Sequence, residues 1–415
     1  MKIRRHVSIL FLLALAASCV PTTAFTGATV WNGTGGPAAA NVTILVQEGR
    51  ITSIQPDGAP PRNADVVSLR GKFVIPGLID THGHVSGLWA SDEITNGVER
   101  ARGDLDLFAR YGVTTVNSLG DDATVIAARD AASPTDARSR LFAAGPVITA
   151  TAPHDARAAA TANAYAGVDW LKLRVDDNLG TSAKMPWAAV QAVLDVAEER
   201  GLRVATHLFY LEDAKRLLEM GSQLVAHSVR DVDVDDAFLA QLRETGVCYV
   251  PTLTREVSTF TYSERPPFFD DPFFTAYAHR GEVERVSEPA FMNRMAESPA
   301  AAGYRVALEQ AMRNVRLVSE AGLPVAMGTD AGPAARFPGY FEHMELWMMV
   351  DAGMTPTQAL LSATSVAANC LGTDDRGTLE AGKWADFLVL EEDPLVDIRS
   401  TKSLKATYIA GKLVG

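Results

Sequence analysis

The sequence predicts an α/β protein whose larger part is a (β/α)8 TIM barrel. The middle of the 415-residue chain alternates short apolar runs with helical patterns, which is typical of parallel strands joined by crossover helices. Eight strands with helices between them suit closure into a barrel, and an open doubly wound sheet is the alternative. The predicted strands are residues 73–79, 113–118, 141–149, 170–175, 203–207, 224–227, 247–252 and 324–328.

The two ends of the chain predict a second, smaller unit. Residues 42–46 and 50–54 are β-like runs separated by Glu48-Gly49, a hairpin signal. Two further β-like runs, 385–390 and 406–410, lie near the other end. We therefore expect residues 25–75 and 376–415 to form one small β-sandwich-like domain, with the barrel over 76–375.

A long insertion separates the last two predicted barrel strands. Residues 253–323 are rich in Phe and Pro, and a connection of that length is usually functional. We expect helices and a lid over the barrel mouth. The alternative is an insertion that packs against a neighbouring subunit, which would make the protein a homo-oligomer.

The N-terminus has the pattern of an export signal. Three basic residues precede an apolar run, 7–17, which is shorter than the about 20 residues of a membrane-spanning helix. Cys19 stands where bacterial lipoproteins carry a lipidated cysteine, so the signal covers either 1–18, with membrane anchoring through Cys19, or 1–24, with cleavage near Ala24. Either version predicts export, to the periplasm or membrane surface or as a secreted protein.

Charge and cysteine content exclude some classes of protein. The net charge is −12 without a cluster of Lys and Arg, which argues against nucleic acid as a partner. Cys248 and Cys370 are far apart and lack the spacing of a metal-binding motif. Since free cysteine is among the most buried residue types, we expect two buried thiols.

A His-Gly-His motif follows the first predicted barrel strand. Side chains two residues apart on a strand point to the same side, so His82 and His84 are expected to project together. Barrel enzymes place their chemistry at the carboxyl ends of the strands. The spacing allows both imidazoles to bind one metal ion.

Two more histidines end predicted strands. His207 ends the fifth and His227 the sixth, so four of the eight histidines lie at strand ends. One such histidine is usually a structural residue, but four that converge on one mouth predict a metal centre, and imidazole suits zinc. Asp330 follows the eighth strand, where it could contact the metal and accept a proton from bound water. The alternative for Asp330 is a helix cap.

A lysine lies among apolar residues of the fourth predicted strand. Burying the charged form of Lys172 is costly, so it needs compensation. One option is an ion pair with Asp176 or Asp177. The other is reaction with CO2, which gives an anionic carbamate that can bridge two metal ions.

Three motifs resemble the amidohydrolase superfamily, and within it the imidazolonepropionase-like and prolidase-like branch. They are PGLIDTHGH at 76–84, GTDAG at 328–332 and GTLEAGKWADF at 377–387. The resemblance covers nearly all of the chain after the leader. It implies a metal-dependent hydrolase on a barrel, and it does not specify the substrate.

The resemblance also implies a site with two divalent ions, expected to be zinc. His82, His84 and Asp330 would hold the more buried ion, and His207 and His227 the second. Carboxylated Lys172 would bridge the two. A hydroxide between the ions would be the nucleophile, and Asp330 would carry its proton to the leaving group.

Two further residues are candidates for contact with substrate. From His227 the sequence reads His-Ser-Val-Arg, where relatives often have His-Gly. Arg230, the last residue of this segment, could hold a substrate carboxylate. Its alternative is an ion pair with Asp231 or Asp233. Tyr210 could help to polarise the scissile carbonyl, with simple packing as the alternative.

The expected reaction is hydrolysis of an amide, cyclic amide or ester bond in a small molecule. A dipeptide, an N-acyl amino acid or a lactone would fit an exported enzyme. The first alternative is a mononuclear deaminase or an imidazolonepropionase-like cyclic amidohydrolase, against which Lys172 argues. The second is a non-catalytic binding protein, against which the complete set of six candidate ligands argues.

Overall fold

The computed structural model describes residues 20–415, so residues 1–19 of the expected signal segment, including Cys19, lie outside the described residues. The strands of the described part are β1 (Thr23–Val30), β2 (Ala39–Gln47), β3 (Arg50–Pro56), β4 (Asp65–Ser68), β5 (Phe73–Pro76), β6 (Leu78–Gly83), β7 (Val113–Ser118), β8 (Arg140–Ala143), β9 (Trp170–Arg174), β10 (Arg203–His207), β11 (Leu224–Ala226), β12 (Cys248–Val250), β13 (Phe387–Leu390), β14 (Leu404–Ile409) and β15 (Lys412–Leu413).

Helices alternate with the middle strands. The α-helices are α1 (Gly97–Arg110), α2 (Ala123–Asp130), α3 (Pro153–Tyr165), α4 (Trp187–Arg200), α5 (Leu211–Glu219), α6 (Asp236–Thr245), α7 (Leu253–Ser258), α8 (Pro272–Thr275), α9 (Arg280–Val286), α10 (Pro289–Ala296), α11 (Pro299–Glu320), α12 (Tyr340–Asp351), α13 (Pro356–Ser362) and α14 (Ser365–Leu371). Short 3-10 helices span Thr261–Ser263, Pro267–Asp270 and Ile398–Ser403.

The middle strands form two parallel sheets, β6-β7-β8 and β9-β10-β11-β12. Backbone hydrogen bonds join them on both sides. Ile148 N donates to Lys172 O at 2.8 Å, which links the segment after β8 to β9. On the other side, Ala326 N donates to Tyr249 O at 3.0 Å and Thr81 N donates to Met327 O at 2.9 Å. The architecture is TIM-barrel-like.

The eighth predicted strand, residues 324–328, forms these backbone hydrogen bonds to the segments on both sides of it. It is not a full strand, because its pairing is limited to an isolated bridge between Tyr249 and Val325. The predicted strands 113–118 and 203–207 are confirmed residue by residue as β7 and β10. The pattern of apolar residues therefore located the barrel strands well, although their lengths differ.

The predicted strand 73–79 is wrong as a single strand. It divides at Gly77 into β5, which pairs with β1 and β13, and β6, which pairs with β7. Gly77 allows the close approach at the division, since a Cβ there would lie 2.2 Å from the Thr114 Oγ1 atom. A continuous apolar run does not reveal that its two halves belong to different sheets.

Strands from both chain ends form one eight-stranded sheet in the order β15-β14-β13-β5-β1-β2-β3, with β4 paired to β1. The β2–β3 hairpin turns at Glu48 and Gly49, whose φ angles of 50° and 80° are those of a tight hairpin turn. Association of the two ends matches the sequence analysis. The sandwich-like form and the domain boundaries stay predictions.

The insertion between β12 and residue 324 is helical, from α7 to α11. An aromatic cluster packs it against α12 and the loop before that helix; its members include Tyr262, Phe269, Phe274, Phe337 and Phe341. Glu345 of α12 fixes the start of α7, because its carboxylate accepts bonds from Leu253 N at 2.7 Å and Thr254 N at 2.8 Å. Thr254 Oγ1 also donates to Thr329 O at 3.1 Å, so the insertion begins beside the end of the eighth strand segment.

The prediction of two free thiols is wrong. Cys248 and Cys370 form a disulfide with a Cα–Cα distance of 6.0 Å, which joins β12 to α14. The two residues are 122 positions apart, and only the fold brings them together. In the described part of the chain, no helix has the length and apolar character needed to cross a membrane.

Candidate metal centre

The residues around His82 bring the first and last barrel segments together. His84 Nε2 lies 2.7 Å from Asp330 Oδ1, and His82 Nε2 lies 3.6 Å from the same oxygen. One ligand atom from each of the three residues lies within 4.8 Å of the others. Asp330 does not cap a helix, because α12 begins ten residues later, at Tyr340. The cluster has the donor types and spacing of a metal site.

Backbone geometry explains the glycines of the GTDAG motif. Asp330 has φ 58°, which few residues other than glycine adopt, and its N–H donates to His82 O at 2.6 Å. A Cβ on Gly332 would lie 1.9 Å from His84 O, and one on Gly328 would lie 2.8 Å from His82 Cβ. The motif therefore lets the chain after the eighth strand segment pass directly against the two histidines.

His207 and His227 form the other half of the cluster. Their ring centroids are 4.1 Å apart, and the His227 ring is 4.6 Å from the His82 ring. His227 Nδ1 lies 2.6 Å from Thr252 Oγ1, while its Nε2 is buried without a hydrogen-bond partner among the described residues. Because a buried polar atom without a partner is costly, Nε2 fits the role of a metal ligand.

Lys172 is the third residue of β9 and only 2% exposed. Its Nζ lies 3.2 Å from His82 Nε2, inside the histidine cluster. Within residues 20–415 no ion pair joins it to Asp176 or Asp177, so the ion-pair alternative is wrong. Burial lowers the pKa of the Lys172 amine to about 7. A lysine with this pKa is partly neutral at neutral pH.

The protonation states of the other groups favour metal binding. Burial lowers the pKa of His82 and His227 well below the usual value and that of His207 to about 3, so the rings are neutral. Burial alone would raise the pKa of Asp330, but Arg336 and His84 hold it well below its usual range. Neutral imidazoles and a carboxylate are the forms that bind metal ions.

The structure gives Arg230 a different ion-pair partner from those expected. Its side chain is buried and contacts Glu256 through Nη1, while Nη2 donates to Leu208 O at 2.6 Å. Asp231 instead accepts from the backbone N–H of Leu211 at 3.0 Å. The pairing with Asp231 or Asp233 is therefore wrong, and contact with substrate stays a prediction for a guanidinium that is already paired.

Tyr210 lies at the start of α5, three residues after His207. Its hydroxyl donates to Asp177 Oδ1 at 2.9 Å, and Lys184 Nζ lies 3.8 Å from its ring centroid. The hydroxyl is therefore held by the loop after β9. Its role in polarising a carbonyl stays a prediction.

Sequence reasoning missed two arginines near Asp330. Arg336 lies against Asp330 through Nη1, and its Nε is 3.2 Å from Ser258 Oγ. Arg255 is buried and shares the Glu256 carboxylate with Arg230, at 3.0 Å from Arg255 Nη1 to Oε2. Arg336 stands six residues after Asp330, which was a weak signal, and nothing in the sequence marked Arg255.

A buried acid pair behind the histidines was also missed. Thr329 Oγ1 lies 2.6 Å from Asp80 Oδ2 and 3.0 Å from Glu342 Oε1, and Asp80 Oδ1 accepts from His82 N at 2.8 Å. Burial, together with the neighbouring Asp80 carboxylate, raises the pKa of Glu342 well above its usual value. Through Thr329, Glu342 links α12 to the strand that bears His82.

The fold and the site together define a class of hydrolases. In this class a barrel-like sheet carries histidines and a carboxylate at its strand ends. The chain belongs to the amidohydrolase family, whose sequence model matches residues 73–414. The family is metal-dependent, and its relatives here indicate a hydrolase that acts on carbon–nitrogen bonds.

Three known proteins illustrate the similarity. An imidazolonepropionase from Deinococcus radiodurans is 25% identical over an alignment of 400 positions that covers 89% of this chain and 91% of that protein. The structure of a candidate prolidase from Bifidobacterium longum is 26% identical, with TM-score 0.77 over 95% of this chain and 94% of that one. A Xaa-Pro dipeptidase with methionine in its active site shares the fold, at 23% identity and TM-score 0.76 over 94% and 99% of the chains.

Proposed function

We propose that this protein is a binuclear metal hydrolase that cleaves an amide bond next to a free carboxylate, in a dipeptide or an N-acyl amino acid. The observation that carries the proposal is the single cluster formed by His82, Lys172, His227 and their neighbours. Six candidate ligands exceed the four of one tetrahedral site. The proposal includes a complete (β/α)8 barrel, zinc as the metal, and export of the mature protein.

The ligands divide into two sets. His82, His84 and Asp330 would hold the first ion, in agreement with their mutual distances. His207 and His227, with rings 4.1 Å apart, would hold the second. When bound, the ions would supply an activated water, with a pKa near about 7, and would polarise the scissile carbonyl.

Lys172 would bridge the two sets as a carbamate. The reaction joins the neutral amine nitrogen to the carbon of CO2 and releases one proton, so it needs an amine that is not fully protonated. The lowered pKa of about 7 meets that requirement. The 3.2 Å distance from Nζ to His82 Nε2 places the nitrogen beside the ligands of the first ion.

Asp330 would accept a proton from the attacking water and donate it to the leaving amine. Its carboxylate is ionised and held by His84 and Arg336, so it is oriented before substrate arrives. Tyr210 would orient the scissile carbonyl. Both roles use groups that the loops after the strands fix in place.

The charge balance beside Asp330 favours a carboxylate on the substrate. Among the described residues, the three buried or half-buried guanidinium groups of Arg230, Arg255 and Arg336 pair with two carboxylates, those of Glu256 and Asp330. Binding of a metal ion by Asp330 would increase the local positive charge further. An anionic substrate group offsets this charge, and a bidentate pair with arginine would fix its orientation.

The experiment compares a dipeptide with its C-terminal amide, using zinc-loaded protein. We expect about two ions per chain by elemental analysis, loss of activity with a chelator, and cleavage of the free acid preferred by roughly 100-fold. Arg230→Gln should lower kcat/KM for the free acid roughly 10- to 100-fold and change that for the amide much less, because Arg230 pairs with Glu256 rather than with Asp330. Equal cleavage of acid and amide would contradict the substrate class.

A second candidate is opening of a cyclic amide. The similarity to the imidazolonepropionase of Deinococcus radiodurans over 89% of this chain favours it. This candidate predicts a single ion per chain and hydrolysis of an imidazolone ring. The metal stoichiometry and a direct assay with that substrate distinguish the two candidates.

A further inference from the structure

The loop that follows β9 places a buried carboxylate against His207. Asp176 Oδ2 lies 2.9 Å from His207 Nε2, and the Asp176 side chain is 1% exposed. The sequence offered Asp176 only as an ion-pair partner of Lys172. Its observed partner belongs instead to the other half of the histidine cluster.

Backbone bonds fix this contact. Val175 N donates to His207 O at 2.9 Å, which extends the pairing of β9 with β10 to the residue before Asp176. The other carboxylate oxygen, Oδ1, accepts from Asn178 N at 2.9 Å. Arg174 Nη2 is 3.8 Å from Oδ2. The carboxylate is therefore held on both sides and cannot turn freely away from the imidazole.

The contact selects one tautomer of His207. A neutral imidazole has one N–H and one nitrogen that accepts, and an ionised carboxylate only accepts hydrogen bonds. Nε2 of His207 must therefore carry the hydrogen, which leaves the Nδ1 lone pair available. His227 has the opposite arrangement, with Nδ1 against the Thr252 hydroxyl and Nε2 without a partner in the described part of the chain.

We propose that Asp176 is a positioning residue that presents His207 Nδ1 to the second metal ion. The inference rests on the proposed binuclear function and names a residue outside the expected ligand set. A carboxylate that accepts from the non-ligating N–H of a metal-bound histidine fixes its tautomer and orientation, and its loss typically weakens metal binding by about 10- to 100-fold.

The first test needs no metal. Long-range 1H–15N spectra of the metal-free protein report the tautomer of each histidine ring. We expect the Nε2–H form for His207 in the wild type and a mixture of tautomers in Asp176→Ala. An Nδ1–H form in the wild type, or an unchanged tautomer in Asp176→Ala, overturns the inference.

The second test measures zinc affinity by competition with a chromophoric chelator. We expect Asp176→Ala and Asp176→Asn to weaken the second ion by about 10- to 100-fold and the first by less than about threefold. Asp169→Asn is the matched control, because Asp169 precedes the same strand at its opposite end and pairs with Arg129 at 2.6 Å. The control should bind both ions like the wild type.

The two tests separate this inference from the proposed function. The role of Asp176 is overturned if both Asp176 variants bind the second ion with an affinity within threefold of the wild type. It is also overturned if the variants weaken the binding of both ions equally. A wild type that binds only one ion overturns the binuclear proposal, and the tautomer spectra then still decide whether Asp176 sets the state of His207. Asp176→Asn keeps the size of the side chain, so it guards against a folding defect in Asp176→Ala.

Discussion

At the scale of single residues, burial sets the charge of each group in the site. The imidazoles of His82, His207 and His227 are neutral because burial lowers their pKa values below the usual one. Asp330 stays ionised because Arg336 and His84 compensate for its burial. The cluster therefore offers neutral nitrogens and one anion, which a divalent cation can bind without displacing protons from those groups.

Lys172→Ala tests the bridging role. We expect loss of the second ion and a fall in activity of roughly 100-fold or more, since the bridging anion disappears. Elemental analysis and steady-state rates measure both effects. A short carboxylic acid at high concentration should restore part of each by taking the vacated position. Two retained ions with near-normal turnover would show that Lys172 is a structural residue.

At the scale of elements, α7 and α12 are joined through one buried acid. Both oxygens of Glu345 accept from the start of α7, yet burial raises the pKa of this carboxyl to about 8. In the unfolded chain the pKa is about 4.5. The folded protein therefore holds a proton that the unfolded chain releases across this interval, and stability falls as pH rises from about 4.5 to about 8.

Glu345→Gln should remove this contribution to the pH dependence. We expect the stability difference, wild type minus variant, to be largest near pH 5 and to shrink steadily towards pH 9. Thermal unfolding of both proteins at several pH values measures it, and subtraction cancels all other titrating groups. A difference that grows with pH would mean that Glu345 is ionised in the folded state at neutral pH.

At the scale of the whole molecule, the disulfide closes a long loop between β12 and α14. A cross-link over 122 residues lowers the entropy of the unfolded chain, which corresponds to about 4–5 kcal/mol of stabilisation of the folded state. Measured stabilisation by disulfides covers a wider range. We expect the Cys248→Ser, Cys370→Ser double variant to unfold at lower temperature but to keep its metal content, because Cys248 begins β12 at the end away from the histidines.

A reducing agent provides the control for the disulfide. A phosphine that does not bind zinc strongly should lower the unfolding temperature of the wild type to that of the double variant and leave the variant unchanged. An unfolding temperature that is insensitive to both changes would mean that the disulfide contributes little to stability.

Export is a further prediction at this scale. A disulfide persists in oxidising compartments, which agrees with export of the mature chain. Mass spectrometry of the mature N-terminus should show cleavage before Cys19, with a diacylglycerol mass on that residue, or cleavage near Ala24. A mature protein that retains Met1 would contradict both versions.

The sequence by itself determined the alternation of strands and helices and which residues stand at the strand ends. Alternating strands and helices fix a parallel topology, and a parallel topology brings all strand ends to one face, so His82, His207 and Asp330 could be assigned to one site before their distances were known. These assignments depend on local periodicity and on chain direction, both of which are properties of short segments.

The tertiary structure alone decided which side chains meet. The Cys248–Cys370 disulfide, the Arg230–Glu256 ion pair and the Asp176–His207 contact join different elements, and none follows from residue spacing. The ends of two strand segments also have backbone angles outside the usual range, with φ 115° at His227 and 58° at Asp330. Such angles are stabilised only by surrounding packing, so local sequence preferences do not reveal them.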